Sequence, residues 1–179
     1  MVAISPTNST ALALLQQTQS ENFRSPLAFL TADIATTKNA ELDAQLLDAF
    51  AKDVDLRKQF VERYDRIRGE IPGITDANAA TNTMVEMIME NRDRFPAEGF
   101  ILYTDFPEGG SVATVIPPKS GDPAATAELE RTAAKWGADR AIEAQIAEAF
   151  ARAKEENIEP PDPEEIRERL TAYYLGRWS

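Results

Sequence analysis

The stretch Phe100-Ile101-Leu102-Tyr103-Thr104-Asp105-Phe106-Pro107-Glu108-Gly109-Gly110-Ser111-Val112-Ala113-Thr114-Val115-Ile116 decides the fold class. Two runs rich in β-branched and aromatic residues flank a segment of Asp, Pro and Gly. That pattern predicts a β-hairpin, near residues 99–117, with a loop of about five residues. A lone hairpin is marginal in water, so this one has to pack on helices or join a partner's sheet. The sequence on both sides has helical periodicity. The fold class expected is therefore mainly α with one small β-hairpin: a helical, bundle-like body that carries an extended arm at its N-terminal end.

Upstream, Ala80, Met84, Met87, Ile88, Asn91 and Phe95 share one face of a helix expected from Asp76 to Arg94. Thr75 or Asp76 caps it and Pro96 stops it. Met84 and Met87 belong to the core stripe, whereas Met89 points elsewhere. Before that helix, Leu42, Leu46, Ala49, Phe50, Leu56, Phe60, Tyr64 and Ile67 form one face over Glu41–Arg68. Asp53 and Arg57 interrupt the stripe at a spacing of four. The expectation is one helix, bent at most, in which they pair; a break near Lys52–Asp55 with Asp55 as N-cap is the alternative. Gly69 and Pro72-Gly73 end it.

Downstream, Pro117-Pro118 closes the hairpin and Asp122-Pro123 starts a helix expected to run to about Ala151. Leu129, Ala133 and Trp136 lie on one side of it. Ile142, Ile146, Phe150 and Ala153 lie nearly opposite, with Gly137 at the change. A kink there, or contact with two different surfaces, is expected. After Pro160-Pro161, the run Asp162-Pro163-Glu164-Glu165 opens a last helix with acids suited to its dipole. Ile166, Leu170 and Tyr173 form its stripe and Gly176 ends it.

Composition divides the chain near residue 40. Residues 1–40 carry Glu21, Arg24, Asp33 and Lys38 as their only charges, and sixteen Ser, Thr, Asn or Gln; the other 139 residues carry 17 basic and 28 acidic groups. The whole excess of −11 therefore sits in the body, and residues 1–40 are expected to form an arm distinct from a domain over 41–179. Within the arm, Leu12, Leu14 and Leu15 form one apolar patch, and Leu27, Phe29, Leu30 and Ile34 a second. Each suits a short helix that must dock on the body, dock on another subunit or stay mobile, because isolated short helices are marginal.

Several function classes are excluded. The chain has no Cys and no His, which removes Cys- and His-based zinc sites, thiol proteases and Ser-His-Asp triads. No phosphate-binding glycine loop or nucleophile elbow is present. Asp76-Ala77-Asn78 lacks the later positions of a calcium loop and reads as a helix cap. Asp105 and Glu108, beside Tyr103 and Phe106, are the best carboxylate pair for a hydrolase. No cofactor and no metal is expected. The charge disfavours nucleic acid and anionic membranes. No apolar run is long enough to span a bilayer, and no cleaved signal is evident, so a cytoplasmic or assembly-incorporated protein is expected.

The lead expectation is a non-catalytic structural or interaction subunit of a larger assembly, such as a virion or filament component. Its partners would be other proteins, a second copy included. The rivals are an acidic adaptor or chaperone masking a basic or apolar client, and a carboxylate-dependent hydrolase. Interface candidates are Leu12, Leu15, Phe29 and Leu30 in the arm, and Tyr174, Arg177 and Trp178 at the other end, where Tyr, Trp and Arg have hot-spot chemistry.

Overall fold

The computed structural model describes residues 25–31, 34–107 and 109–175. Among them are six α-helices and one three-stranded antiparallel sheet. The protein is mainly α with a small β part.

The first described element is a short helix, α1 (Pro26–Thr31), entered through Ser25, whose carbonyl accepts from the Phe29 N–H at 3.1 Å. A two-residue strand, β1 (Ala35–Thr36), follows. The turn after it is tied down by Asp43. The Asp43 carboxylate accepts from the Thr36 hydroxyl at 2.7 Å, the Thr37 N–H at 2.7 Å and the Thr37 hydroxyl at 2.9 Å. Asn39 then caps α2 (Ala40–Lys52), its Oδ1 accepting from the N–H groups of Glu41 and Leu42.

The single helix expected over Glu41–Arg68 is instead two helices. At Asp53 the backbone turns extended (φ −102°, ψ 102°), and its carboxylate caps α3 (Val54–Glu70) by accepting from the Leu56 N–H at 3.0 Å. Asp53 also takes the guanidinium of Arg94. Arg57 does not pair with Asp53. It folds back on the last carbonyls of α2, those of Phe50 (2.9 Å) and Ala51. The break therefore satisfies both helix ends, and the cap is Asp53 rather than Asp55.

Thr75 caps α4 (Asp76–Glu90), which stops four residues before the expected Arg94; a single 3-10 turn over Arg92–Arg94 takes its place. Arg92 explains the change. Its guanidinium donates to the carbonyls of Pro96 (2.6 Å) and Pro117 (2.9 Å), locking the turn to the foot of the hairpin. Loss of hydration there lowers the Arg92 pKa.

The hairpin is β2 (Phe100–Asp105) and β3 (Ser111–Ile116), in the register Phe100 opposite Ile116 and Asp105 opposite Ser111. Gly99 sits at its foot with φ +80°, where a Cβ would lie 2.7 Å from the Pro118 nitrogen; only glycine fits. The strand that sequence missed is β1, which pairs antiparallel with β2 through Ala35 opposite Thr104. The sheet order is β1-β2-β3.

Strand alternation splits the sheet's two faces. Phe100 and Leu102 join the core built by α1–α4, with Phe29, Phe50, Phe60, Met84 and Met87 buried beside them. Tyr103 faces the other way, onto α5 (Pro123–Glu156), its ring 5.0 Å from that of Trp136. This helix runs 34 residues, continuous through Gly137 and past the expected end near Ala151. α6 (Pro163–Leu175) packs back along α5, held by Ile166 in the seam and by Arg167 on Glu143 at 2.6 Å.

Of the segment expected in an arm, described residues pack on the body. Phe29, Leu30, Ile34 and Ala35 lie in the same apolar cluster as α2–α4.

Candidate interaction surface

The most distinctive surface is the edge of the sheet that no other strand pairs with among the described residues. β1 covers one side of β2, so β3 ends the sheet on the other side. The Asp105 N–H donates to Ile34 at 2.9 Å, on the β1 side, while the Phe106 N–H donates to Gly110 at 3.0 Å, on the β3 side. Alternation along an antiparallel ladder then fixes the rest. Val112, Thr114 and Ile116 turn their backbone groups to β2; Ser111, Ala113 and Val115 turn theirs outward. Those three residues are half-exposed.

Natural sheets blunt such edges with charge, proline, a bulge or a covering element. β3 has neither charge nor proline, and four of its six residues are β-branched. Its side chains on the outward-facing residues are small on two of three positions, which lets α5 lie close over that face. On the opposite face, Val112 is 42% exposed.

Beside this edge lies a groove of about 400 Å³ between the hairpin and the α3–α4 pair. Val112, Thr114 and Phe106 form one wall; Ile67, Ile71 and Val85 contribute the apolar part of the other. Ile71 is 46% exposed, so the apolar lining reaches the surface. The rim is charged. Arg66 is paired with Glu86 at 3.2 Å, and Glu86 lies also within 3.9 Å of Arg63. Glu70 on the same rim is exposed and makes no ion pair among those found for the described residues. One wall is further fixed by Arg63 on Glu90, a two-pronged bond that holds the Glu90 carboxyl below the usual range and the guanidinium above its own.

A strand edge beside a groove walled by Val112, Thr114 and an apolar helix face can do one thing well. An extended chain laid along β3 gains backbone hydrogen bonds to Ser111, Ala113 and Val115, and places alternate side chains against Val112, Ile71 and Val85.

The interface candidates from sequence fall elsewhere. Leu12, Leu15, Arg177 and Trp178 lie outside the described residues. Phe29 (0% exposed) and Leu30 (8%) are in the chain's own core, so they are unavailable to a partner while the body is folded. Tyr174 is half-buried on α6, where the Gln145 side chain donates to its hydroxyl at 2.8 Å and the Tyr173 ring meets it edge-on at 5.3 Å. Of the carboxylate pair, Glu108 is outside the described residues. Asp105 is spoken for by Arg140 at 2.9 Å and by the Ser111 hydroxyl. Among the described residues, the two carboxyls held away from their ordinary values, Glu90 and Asp93, are both held low by basic partners, opposite to what a general acid needs.

What sequence reasoning missed was the side of the hairpin left open. The signal was present, since β3 is the strand without charge, but the addition of β1 to β2 was needed to show which edge is free. Among the described residues no group of acids is arranged to hold a metal ion, and no helix is long and apolar enough to cross a membrane. Comparison of the chain with protein-family models, with curated proteins and with solved structures finds no match.

Proposed function

We propose that this protein is a non-catalytic interaction subunit that captures an extended segment of a partner protein as a fourth strand on β3, within a larger assembly. The observation that carries this reading is the uncharged, proline-free outer edge of β3 beside an apolar groove. Exposed apolar edges of this kind either recruit a strand or aggregate, and a surface kept by a folded protein is one that has an occupant. Charge defines that occupant. The rim carries Arg66 against Glu70 and Glu86, and the chain as a whole has a net charge of −11. A neutral or basic segment, apolar at alternate positions, is attracted; an acidic one is repelled. The same excess of acid favours a second reading, an adaptor that holds a basic client reversibly. The two differ in the lifetime of the complex, not in the surface used.

Selection of binders from a display library of short linear peptides tests the reading. Selected peptides should be apolar at alternate positions, neutral or basic, and should slow hydrogen exchange at the Ser111, Ala113 and Val115 amides. Val112→Lys, which puts a charge into the groove at a position already exposed, should weaken them about tenfold or more. Binders that protect other elements, or that are indifferent to Val112→Lys, would sink the proposal.

A further inference from the structure

On the opposite face of the sheet, Lys38 has an unusual setting. Among the described residues it is one of two non-glycine residues with a left-handed backbone, at φ 60°. That conformation is unfavourable for any residue with a side chain, and it persists only where neighbours impose it. Here they do. The Thr36 hydroxyl accepts from the Lys38 N–H at 3.0 Å, Asp43 grips Thr36 and Thr37, and Asn39 is committed to capping α2.

The turn delivers the Lys38 ammonium to two aromatic rings. Its Nζ lies 4.2 Å from the centroid of Tyr103 and 4.9 Å from that of Trp136. The rings are 5.0 Å apart and inclined at 57°, so they form two walls of a corner. Arg140 closes a third side, with its guanidinium 5.5 Å from the Trp136 centroid and its charge answered by Asp105. In a chain with 30 acids and 19 bases, a carboxylate is the easy partner for a lysine. Lys38 forms no ion pair among the described residues and sits on the two rings instead.

Such a corner has a defined chemistry. Ring faces attract cations, and they favour a quaternary ammonium over a primary one because its methyl groups hydrate weakly and fill the space between rings. We infer that Tyr103 and Trp136 form a binding site for a quaternary ammonium group, kept closed by the chain's own Lys38. Lys38 is exposed on its outer side, so it can withdraw without opening the core. A ligand that enters displaces it and loosens the Thr36–Asn39 turn, the link between β1 and α2. The site lies on the α5 side of the sheet and is independent of the β3 groove.

The test uses the full chain with Trp178→Phe, so that indole fluorescence reports Trp136 alone. Lys38→Gly empties the corner and also relieves the left-handed strain; Lys38→Gln serves as a second variant should the glycine disturb the turn. The probes are choline and free trimethyllysine, with 3,3-dimethylbutanol as the uncharged isostere of choline. With Lys38 removed, choline or trimethyllysine should change the fluorescence saturably, about tenfold more tightly than with Lys38 in place. The tighter of the two identifies a small-molecule or a side-chain source. The isostere should bind about tenfold more weakly than choline, and Trp136→Leu, at a half-exposed wall, should abolish choline binding measured by isothermal titration calorimetry. No saturable change in either Lys38 variant with helical circular dichroism intact would overturn the inference, as would equal binding of the isostere.

Discussion

Single side chains in this protein are placed by hydrogen-bond accounting as much as by polarity. Thr104 illustrates the point. It points into the core side of β2, between Leu102 and the hairpin turn, and is fully buried. Its hydroxyl has no hydrogen-bond partner among the described residues. Thr83 and Thr81, equally deep in α4, donate back to the carbonyls of Ala79 (2.7 Å) and Ala77 (2.9 Å), a solution open to helices but not to a strand whose carbonyls serve the ladder. A buried hydroxyl left alone costs about 1–3 kcal/mol. Thr104→Val keeps the shape and removes the polar atom, so it should raise stability by about 1 kcal/mol in urea denaturation. A loss of stability instead would mean that the hydroxyl is satisfied in solution. Arg92 is the converse case, a charged side chain drawn partly out of water because two carbonyls need its donors.

At the scale of elements, boundaries follow caps. The α2–α3 break at Asp53 was half legible. The apolar stripe runs through it without a change of phase, so periodicity alone argues for one helix, and the polar pair Asp53 and Arg57 is compatible with either outcome. What decided was a distant residue. Arg94, from the 3-10 turn, comes to the Asp53 carboxylate and rewards an exposed cap at that position. Asp53→Ala should therefore destabilise the fold by about 1–2 kcal/mol, as N-cap removal does. Asp53→Asn keeps the cap and loses only a half-exposed ion pair, with a cost below about 1 kcal/mol. Equal losses for the two would show that the ion pair, not the cap, holds the break. The end of α4 obeys the same logic: the stripe Met84, Met87, Ile88 and Phe95 is all buried as its spacing implies, yet the helix gives way at Asn91 because Arg92 is needed at the hairpin's foot.

For the whole molecule, the decisive feature is how far the N-terminal segment enters the body. Phe29, Leu30 and Ile34 are buried there, and β1 supplies the third strand. Each such side chain contributes about 1.5–3 kcal/mol on burial, and a domain's net stability is about 5–15 kcal/mol. A chain beginning at Ser25 should therefore unfold as cooperatively on heating as the full chain. A chain beginning at Ala40 should lose most of its stability and show a broadened or absent transition. Cooperative unfolding of the Ala40 chain near the full-length temperature would show that α1 and β1 add little. The same comparison bears on assembly, because a change in mass on removing residues 1–24 can be read as loss of contact only while the body stays folded.

By itself the sequence determined the class of the fold, the hairpin and its strands, the helix starts at Thr75, Asp122 and Asp162, and the core faces of α2–α4; on α5 and α6 the expected stripes leave Phe150 (38% exposed) and Tyr173 (55% exposed) at the surface. These are set by neighbours within a few residues: side-chain spacing, capping oxygens, glycine and proline. It could not assign residues 25–40, because low charge and many small polar residues describe a free arm and a docked segment equally well. Only the tertiary structure joined β1 to β2, and with it decided which strand edge is open. It also brought Lys38 to Tyr103 and Trp136, residues 65 and 98 positions further along the chain. Contacts of that separation depend on where whole elements come to rest, and local sequence carries no record of it.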